Sequence, residues 1–151
     1  MRPPFDHVRT WIFDLDNTLY PAETDLFALI DERMGQYVSE LMKVDLVEAR
    51  RIQKDYYYRH GTTLAGLMLD HGVDPHHFLD YVHDIDMGRV SPCSITAQGL
   101  SRLPGRKLIF TNGDVKYASR VLDRLGLVDQ FEAIHDIHAT QYRPKPDAAA
   151  Y

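Results

Sequence analysis

A chain of 151 residues is room for about one domain, and a composition of 44% hydrophobic and 26% charged residues is too apolar for intrinsic disorder. The 17 lysines and arginines set against 22 aspartates and glutamates leave a net charge of -5, a poor basis for binding a nucleic acid polymer through its phosphates. The single cysteine, Cys93, excludes an intramolecular disulfide and fits a reducing compartment. Residues 1–10 carry Arg2, Asp6, His7 and Arg9 with no apolar run behind them, so no signal peptide is read there. No stretch approaches the ~18 apolar residues of a membrane span. A cytoplasmic protein with no membrane partner is expected; the oligomeric state is left open.

In chain order, Thr10-Trp11-Ile12-Phe13-Asp14-Leu15-Asp16 opens with bulky β-formers and reads as a buried parallel strand ending at two aspartates. Asn17-Thr18 and Pro21 break it. From Thr24 to about Arg102 nearly everything reads as helix. Leu26, Leu29, Ile30, Met34, Tyr37, Val38 and Leu41 recur at helical spacing. Asp45 with Glu48 resembles a capping box and opens a second helix through Tyr58, which Gly61 ends. Thr62 or Thr63 caps a third helix up to Gly72. Asp74-Pro75 starts a fourth and Ser94 a fifth, stopped by Pro104-Gly105.

The pattern then returns to short apolar runs. Lys107-Leu108-Ile109-Phe110-Thr111 is a second strand, Asn112-Gly113 a turn, and Asp114 the cap of a helix through Leu125 that Gly126 ends. Phe131-Glu132-Ala133-Ile134 is a third strand. Asp147 through Tyr151 looks like the first turn of a helix. A helical block of about 80 residues is too long for one crossover between parallel strands, which takes a dozen or more. It is read as an all-helical domain, residues 21–102, inserted into an α/β core formed by residues 1–20 and 103–151.

Three polar clusters follow the apolar stretches: Asp14-Leu15-Asp16-Asn17-Thr18, Thr111-Asn112-Gly113-Asp114 and Lys145-Pro146-Asp147. Each alone is ordinary, since aspartates after strands, Thr-Asn-Gly turns and loop lysines are common. In this order the chain resembles the haloacid dehalogenase-like hydrolase superfamily, which is mostly phosphatases. Asp14 to Thr18 matches its Asp-x-Asp-x-Thr motif, Thr111 its second motif, and Lys145 its third. The resemblance implies an incomplete Rossmann-like core holding strands 1–3 of the order 3-2-1-4-5, with an inserted helical cap.

It also implies roles. A carboxylate that attacks phosphorus forms an aspartyl-phosphate and divides one hard step into two, and Asp14 is the expected nucleophile. Asp16 protonates the leaving alkoxide and then takes a proton from water. Two carboxylates beside a phosphate call for a hard cation, and magnesium suits oxygen ligands. In the family the first aspartate's carboxylate and the second one's backbone carbonyl bind it, here Asp14 and Asp16. The Thr111 hydroxyl and amides near Asn112 hold phosphate oxygens, and Lys145 supplies positive charge. Asp114 is read as a helix cap. His76-His77 and His135 with His138 lack the framework of a metal site and are read as structural.

The second acid, Asp16, favours phosphate esters over the dehalogenase branch, where halide leaves without a proton. Asp-Asn-Thr-Leu-Tyr-Pro at 16–21, Tyr56 to Leu64 with Gly66-Leu67, and Tyr142 to Asp147 resemble the pyrimidine 5'-nucleotidase subgroup. That implies UMP or CMP as substrate, with His60, Thr62 and Thr63 as cap residues near sugar or base. Alternatives are another small ester such as phosphoglycolate or a sugar phosphate, a non-catalytic fragment binding a phosphometabolite or a partner, and a receiver-like domain, against which the motif spacing argues. The family's acidic fourth motif finds no counterpart before Tyr151. The chain is therefore expected to be a fragment of low or no activity, with its first strand at a sheet edge.

Overall fold

The computed structural model describes residues 5–151. Among them three strands, β1 (Thr10–Phe13), β2 (Arg106–Phe110) and β3 (Ala133–His135), form one sheet in the order β1-β2-β3. Both pairings are parallel, with Phe13 opposite Ile109 and Phe110 opposite His135. The expected α/β class and strand order are both observed. β2 is the central strand, and its Ile109 is fully buried. β1 has β2 as its single strand partner among the described residues, and Ile12 on it is 63% exposed.

Contacts divide the described residues into two compact units. One holds the residues up to Thr24 together with Met87–Ala139; the other holds Asp25–Asp86 and Thr140–Tyr151. In the first, the start of β2 lies against the chain entering β1. The Arg106 amide donates to the Arg9 carbonyl at 2.9 Å, and the Trp11 indole donates to the Pro104 carbonyl at 2.8 Å. Gly105 allows this approach: its φ is +83°, and a Cβ there would strike the Arg9 backbone.

Six α-helices occur among the described residues. The helix of the sheet unit that connects β2 to β3, Val115–Leu125, buries Tyr117, Ala118, Val121, Leu122 and Leu125 on one stripe. The Asp114 carboxylate accepts from the Tyr117 amide at 2.8 Å, so it is the expected cap. Ser94–Arg102 is the other α-helix of this unit. In chain order the helices are α1 (Leu26–Met42), α2 (Leu46–His60), α3 (Thr63–His71), α4 (Pro75–Val82), α5 (Ser94–Arg102) and α6 (Val115–Leu125).

α1 to α4 lie in the second unit, with α1 against α2 and α4, and α2 against α3. Asp45 caps α2 through the Glu48 amide at 2.9 Å, but the box is one-sided: the Glu48 carboxylate is taken by Arg51, at 2.9 and 2.6 Å. Thr62 caps α3 through Ala65, and Asp74 caps α4 through His76. Thr63 is the first residue of the helix instead, its hydroxyl donating to the Gln53 carbonyl at 3.1 Å. On α1, Leu26, Ile30, Tyr37 and Val38 are buried, while Leu41 is exposed.

Three bounds depart from expectation. β1 stops at Phe13 rather than at the two aspartates, because the Leu15 carbonyl accepts from both Thr18 and Leu19 amides and turns the chain. β3 is shifted to Ala133–His135. The helical reading fails over residues 83–93. There the His83 and Met87 carbonyls make tight turns with Ile85 and Val90, and Pro92 biases Ser91 away from helix. The end of the chain is a short 3-10 turn, Ala148–Ala150, with Asp147 accepting from Ala149.

Candidate functional site

β1 and β2 run side by side in the same direction, so the loops leaving their carboxyl ends are neighbours. One residue beyond the Phe13–Ile109 pair stand Asp14 and Phe110, and Thr111 follows. Parallel strands lie about 4.8 Å apart. The sheet therefore presents Asp14, Asp16, Thr111 and Asn112 at its carboxyl end. This is where ligands of open α/β sheets bind.

The first loop folds back on itself. Asn17 takes a left-handed φ of 55°, a conformation asparagine tolerates better than most residues. Leu15, Leu19 and Tyr20 are buried beneath the turn, and Asp14, Asn17 and Thr18 are exposed on it. The Thr18 hydroxyl reaches back to donate to Asp14 Oδ2 at 3.1 Å. Asp14 is thus a solvent-facing carboxylate whose Oδ2 is held by Thr18, which limits its rotation.

Asp16 is half-buried and is held differently. Its Oδ1 accepts from the Tyr20 phenol at 2.6 Å and from the Tyr117 phenol at 2.6 Å. Both lie at the short end of the range for O–H···O hydrogen bonds. The two phenol oxygens lie 3.5 Å apart. Burial first, and the neighbouring Asp16 charge second, push both phenols well above the ordinary tyrosine range. Both tyrosines therefore stay neutral donors at any physiological pH.

The loop after β2 is rigid for a separate reason. Thr111 is 1% exposed, its amide donates to the His135 carbonyl at 3.0 Å, and its Oγ1 accepts from the Gly113 amide at 3.0 Å. Buried Asp136, just past β3, accepts from the Val115 amide at 3.0 Å and the Ala139 amide at 2.9 Å. Ile137 donates to the Gly113 carbonyl. The start of α6 is thereby anchored by Asp114 and Asp136, two carboxylates at the positive end of the helix dipole.

The other expected residues belong to the helical unit. Lys145 follows buried Pro144, whose ring lies close to Gly61: a Cβ on Gly61 would come within 3.1 Å of it. Arg143 and Asp147 bracket the lysine as an ion pair at 3.9 Å. His60 ends α2 beside the Tyr56 ring, and its buried Nε2 has no hydrogen-bond partner. Thr62 and Thr63 hold the cap and first turn of α3, so both side chains already serve the backbone. Of the paired histidines, His77 meets the Tyr37 phenol at 2.9 Å.

Sequence reasoning missed Tyr20, Tyr117 and Asp136. Tyr20 had a local signal, since it stands four residues after Asp16. Tyr117 had none, being 101 residues away from the carboxylate it serves. For a cation, the first loop offers the Asp14 carboxylate and the Asp16 backbone carbonyl, hard oxygens that suit magnesium, which keeps several waters and often takes only one or two carboxylates. No group of three histidine, cysteine, aspartate or glutamate side chains able to hold a metal occurs among the described residues.

Comparison with known proteins gives the following. No family model matches the chain. It is 28% identical over 142 residues to phosphate metabolism protein 8 of Saccharomyces cerevisiae, a match covering 86% of this chain and 44% of that protein. It also resembles two structures of L-2-haloacid dehalogenase from Xanthobacter autotrophicus, one with chloropropionic acid covalently bound. Both align with a TM-score of 0.46, at 22% and 21% identity, over 95% of this chain and 62% of the dehalogenase. The chain thus spans under half the length of the yeast relative and under two thirds of the solved structures. No helix among the described residues is long and apolar enough to cross a membrane.

Proposed function

We propose that the chain carries the nucleophile half of a haloacid dehalogenase-like phosphatase site, acting on phosphate monoesters. The observation that carries this is the placement of Asp14-Leu15-Asp16-Asn17-Thr18 at the carboxyl end of β1, next to Thr111 at the end of β2. The similarity to a protein named for phosphate metabolism is in keeping with a phosphate-bearing substrate.

In this reading Asp14 attacks phosphorus with the oxygen not tied to Thr18, and the ester bond to the leaving oxygen breaks. Asp16 gives its proton to that oxygen, and later removes one from the water that releases phosphate from Asp14. The buried Thr111 hydroxyl and the amides near Asn112 and Gly113 bind the phosphate oxygens, held in place by the Asp136 and His135 contacts. Lys145 is the counter-charge on motif grounds. Magnesium, bound by Asp14 and the Asp16 carbonyl, would neutralise charge developing on the phosphate.

Nucleoside 5'-monophosphates of the UMP and CMP type are the proposed substrates, with His60, Thr62 and Thr63 as the residues to vary for specificity. The test is phosphate release from radiolabelled UMP, phosphoglycolate and a sugar phosphate, with and without magnesium. Slow, magnesium-dependent release is expected, fastest from UMP, and Asp14→Asn should abolish it. Release that survives in Asp14→Asn overturns the proposal.

A further inference from the structure

The loop that follows β2 is fastened to the loop that follows β3 at every second residue. The Thr111 amide donates to the His135 carbonyl at 3.0 Å, and the Ile137 amide donates to the Gly113 carbonyl at 3.1 Å. The Val115 amide donates to Asp136 Oδ2 at 3.0 Å. The first two ties join backbone to backbone. The third depends on a single side chain. Asp136 is 5% exposed, and its Oδ1 accepts from the Ala139 amide at 2.9 Å, which closes the turn after β3. The carboxylate is therefore a bridge: one oxygen holds its own turn, and the other holds the first residue of α6. Within the fastened loop the Thr111 hydroxyl oxygen accepts from the Gly113 amide at 3.0 Å, so the direction of that hydroxyl follows the loop.

A buried carboxylate at this place is costly on two counts. It gives up hydration, and it puts negative charge next to the loop assigned to a phosphate group. The helix does not need it as a cap, because Asp114 already accepts from the Tyr117 amide at 2.8 Å. A neutral amide would not serve in its place. Asparagine has one acceptor oxygen, so one of the two backbone amides would face an NH2 group. We propose that Asp136 is a positioning residue for the phosphate-binding loop, its bridge between the Val115 and Ala139 amides fixing where the Thr111 hydroxyl and the Asn112–Gly113 backbone point. This rests on the phosphatase reading above.

The possible roles of Asp136 predict different signs. Acting through its charge alone, it would weaken phosphate binding, and Asp136→Asn would tighten it. Holding α6 alone, it would set the urea midpoint and leave the affinity of the folded protein unchanged in the variant. Positioning predicts weaker binding by the folded protein. A hydrogen bond to a charged group biases a local equilibrium by roughly ten-fold or more, and apparent affinity falls with the fraction of the loop in the competent arrangement. Inorganic phosphate is titrated, at constant magnesium chloride, into the isotope-labelled chain well below its unfolding temperature. The amide signals of Asn112 and Gly113 are followed by NMR. In Asp136→Asn the Kd for phosphate should rise about ten-fold. Val115→Pro removes the donor and keeps the charge. Asp114 before it is already extended, with φ -103° and ψ 166°, and proline suits the first position of a helix. This variant should raise the Kd as well, and it alone decides if Asp136→Asn does not fold. Unchanged or tighter binding in either folded variant overturns the proposal and leaves the phosphatase reading standing. If phosphate moves neither amide in the unaltered protein, the phosphatase reading fails at this loop and the role of Asp136 falls with it.

Discussion

Asp16 and its two phenols set how the protein responds to alkali. In an unfolded chain a tyrosine loses its proton near pH 10. In the folded protein Tyr20 and Tyr117 keep theirs to higher pH, through burial first and the Asp16 charge second. Above about pH 10 the folded state then binds more protons than the unfolded one. Their contribution to stability is complete below that pH and is lost as pH rises through the folded values. The urea midpoint should therefore fall as pH rises above about 10, and fall less in Tyr117→Phe. An identical decline in both proteins would separate the phenols from the effect. Sequence alone placed Asp14, Asp16 and Thr111 at strand ends because each follows an apolar run. It had no means of placing Tyr117, because a contact across 101 residues leaves no periodic trace.

At the scale of elements, helix starts were the most legible feature. Asp45, Thr62, Asp74 and Asp114 each accept a hydrogen bond from an amide two or three residues ahead, which is a local event that a local signal can announce. Packing between elements was not legible. Gly66, in the middle of α3, is buried beneath the Tyr56 ring of α2, and a Cβ there would lie 2.7 Å from Tyr56 Cβ. Gly66→Ala should improve helix propensity by about 1 kcal/mol and yet destabilise the protein, because overpacking costs about 1–3 kcal/mol. A lowered denaturation midpoint in Gly66→Ala, with a smaller loss in Gly66→Ala/Tyr56→Leu, is the expected result. Midpoints equal to or above that of the unaltered protein would mean that the helices slide apart at no cost. Asp31 on α1 shows the same dependence on tertiary partners: Arg50, Lys54 and Gln53, all on α2, converge on it at 2.7 to 2.8 Å. Desolvation opposes its charge, but the Lys54 and Arg50 hydrogen bonds prevail and hold its carboxyl below the usual range.

For the molecule as a whole, the sheet is the part with least cover. β1 pairs on one side among the described residues, and Ile12 is 63% exposed on it. An open strand with apolar side chains is a template for another chain. Ile12→Lys should leave the circular dichroism spectrum unchanged and raise the concentration at which the protein stays monodisperse in sedimentation velocity. No change in self-association would show that this edge is harmless. The expectation of an edge at β1 came from counting strands, and the exposure of Ile12 agrees with it.

The central place of β2 also orders the ways in which the site opens. β2 is bonded on both sides, and the loop after it is tied to the His135 carbonyl and to Asp136 through Val115. β1 is four residues long and bonded on one side. Local opening free energies follow such differences in support. Amides of β1 should exchange with deuterium faster than those of Ile109 and Phe110 on β2; the reverse order would mean that some other contact secures the first strand. Asp14 thus follows a strand held on one side, whereas Thr111 follows the strand held on both. A fluctuation that displaces Asp14 can leave the loop at Thr111 intact.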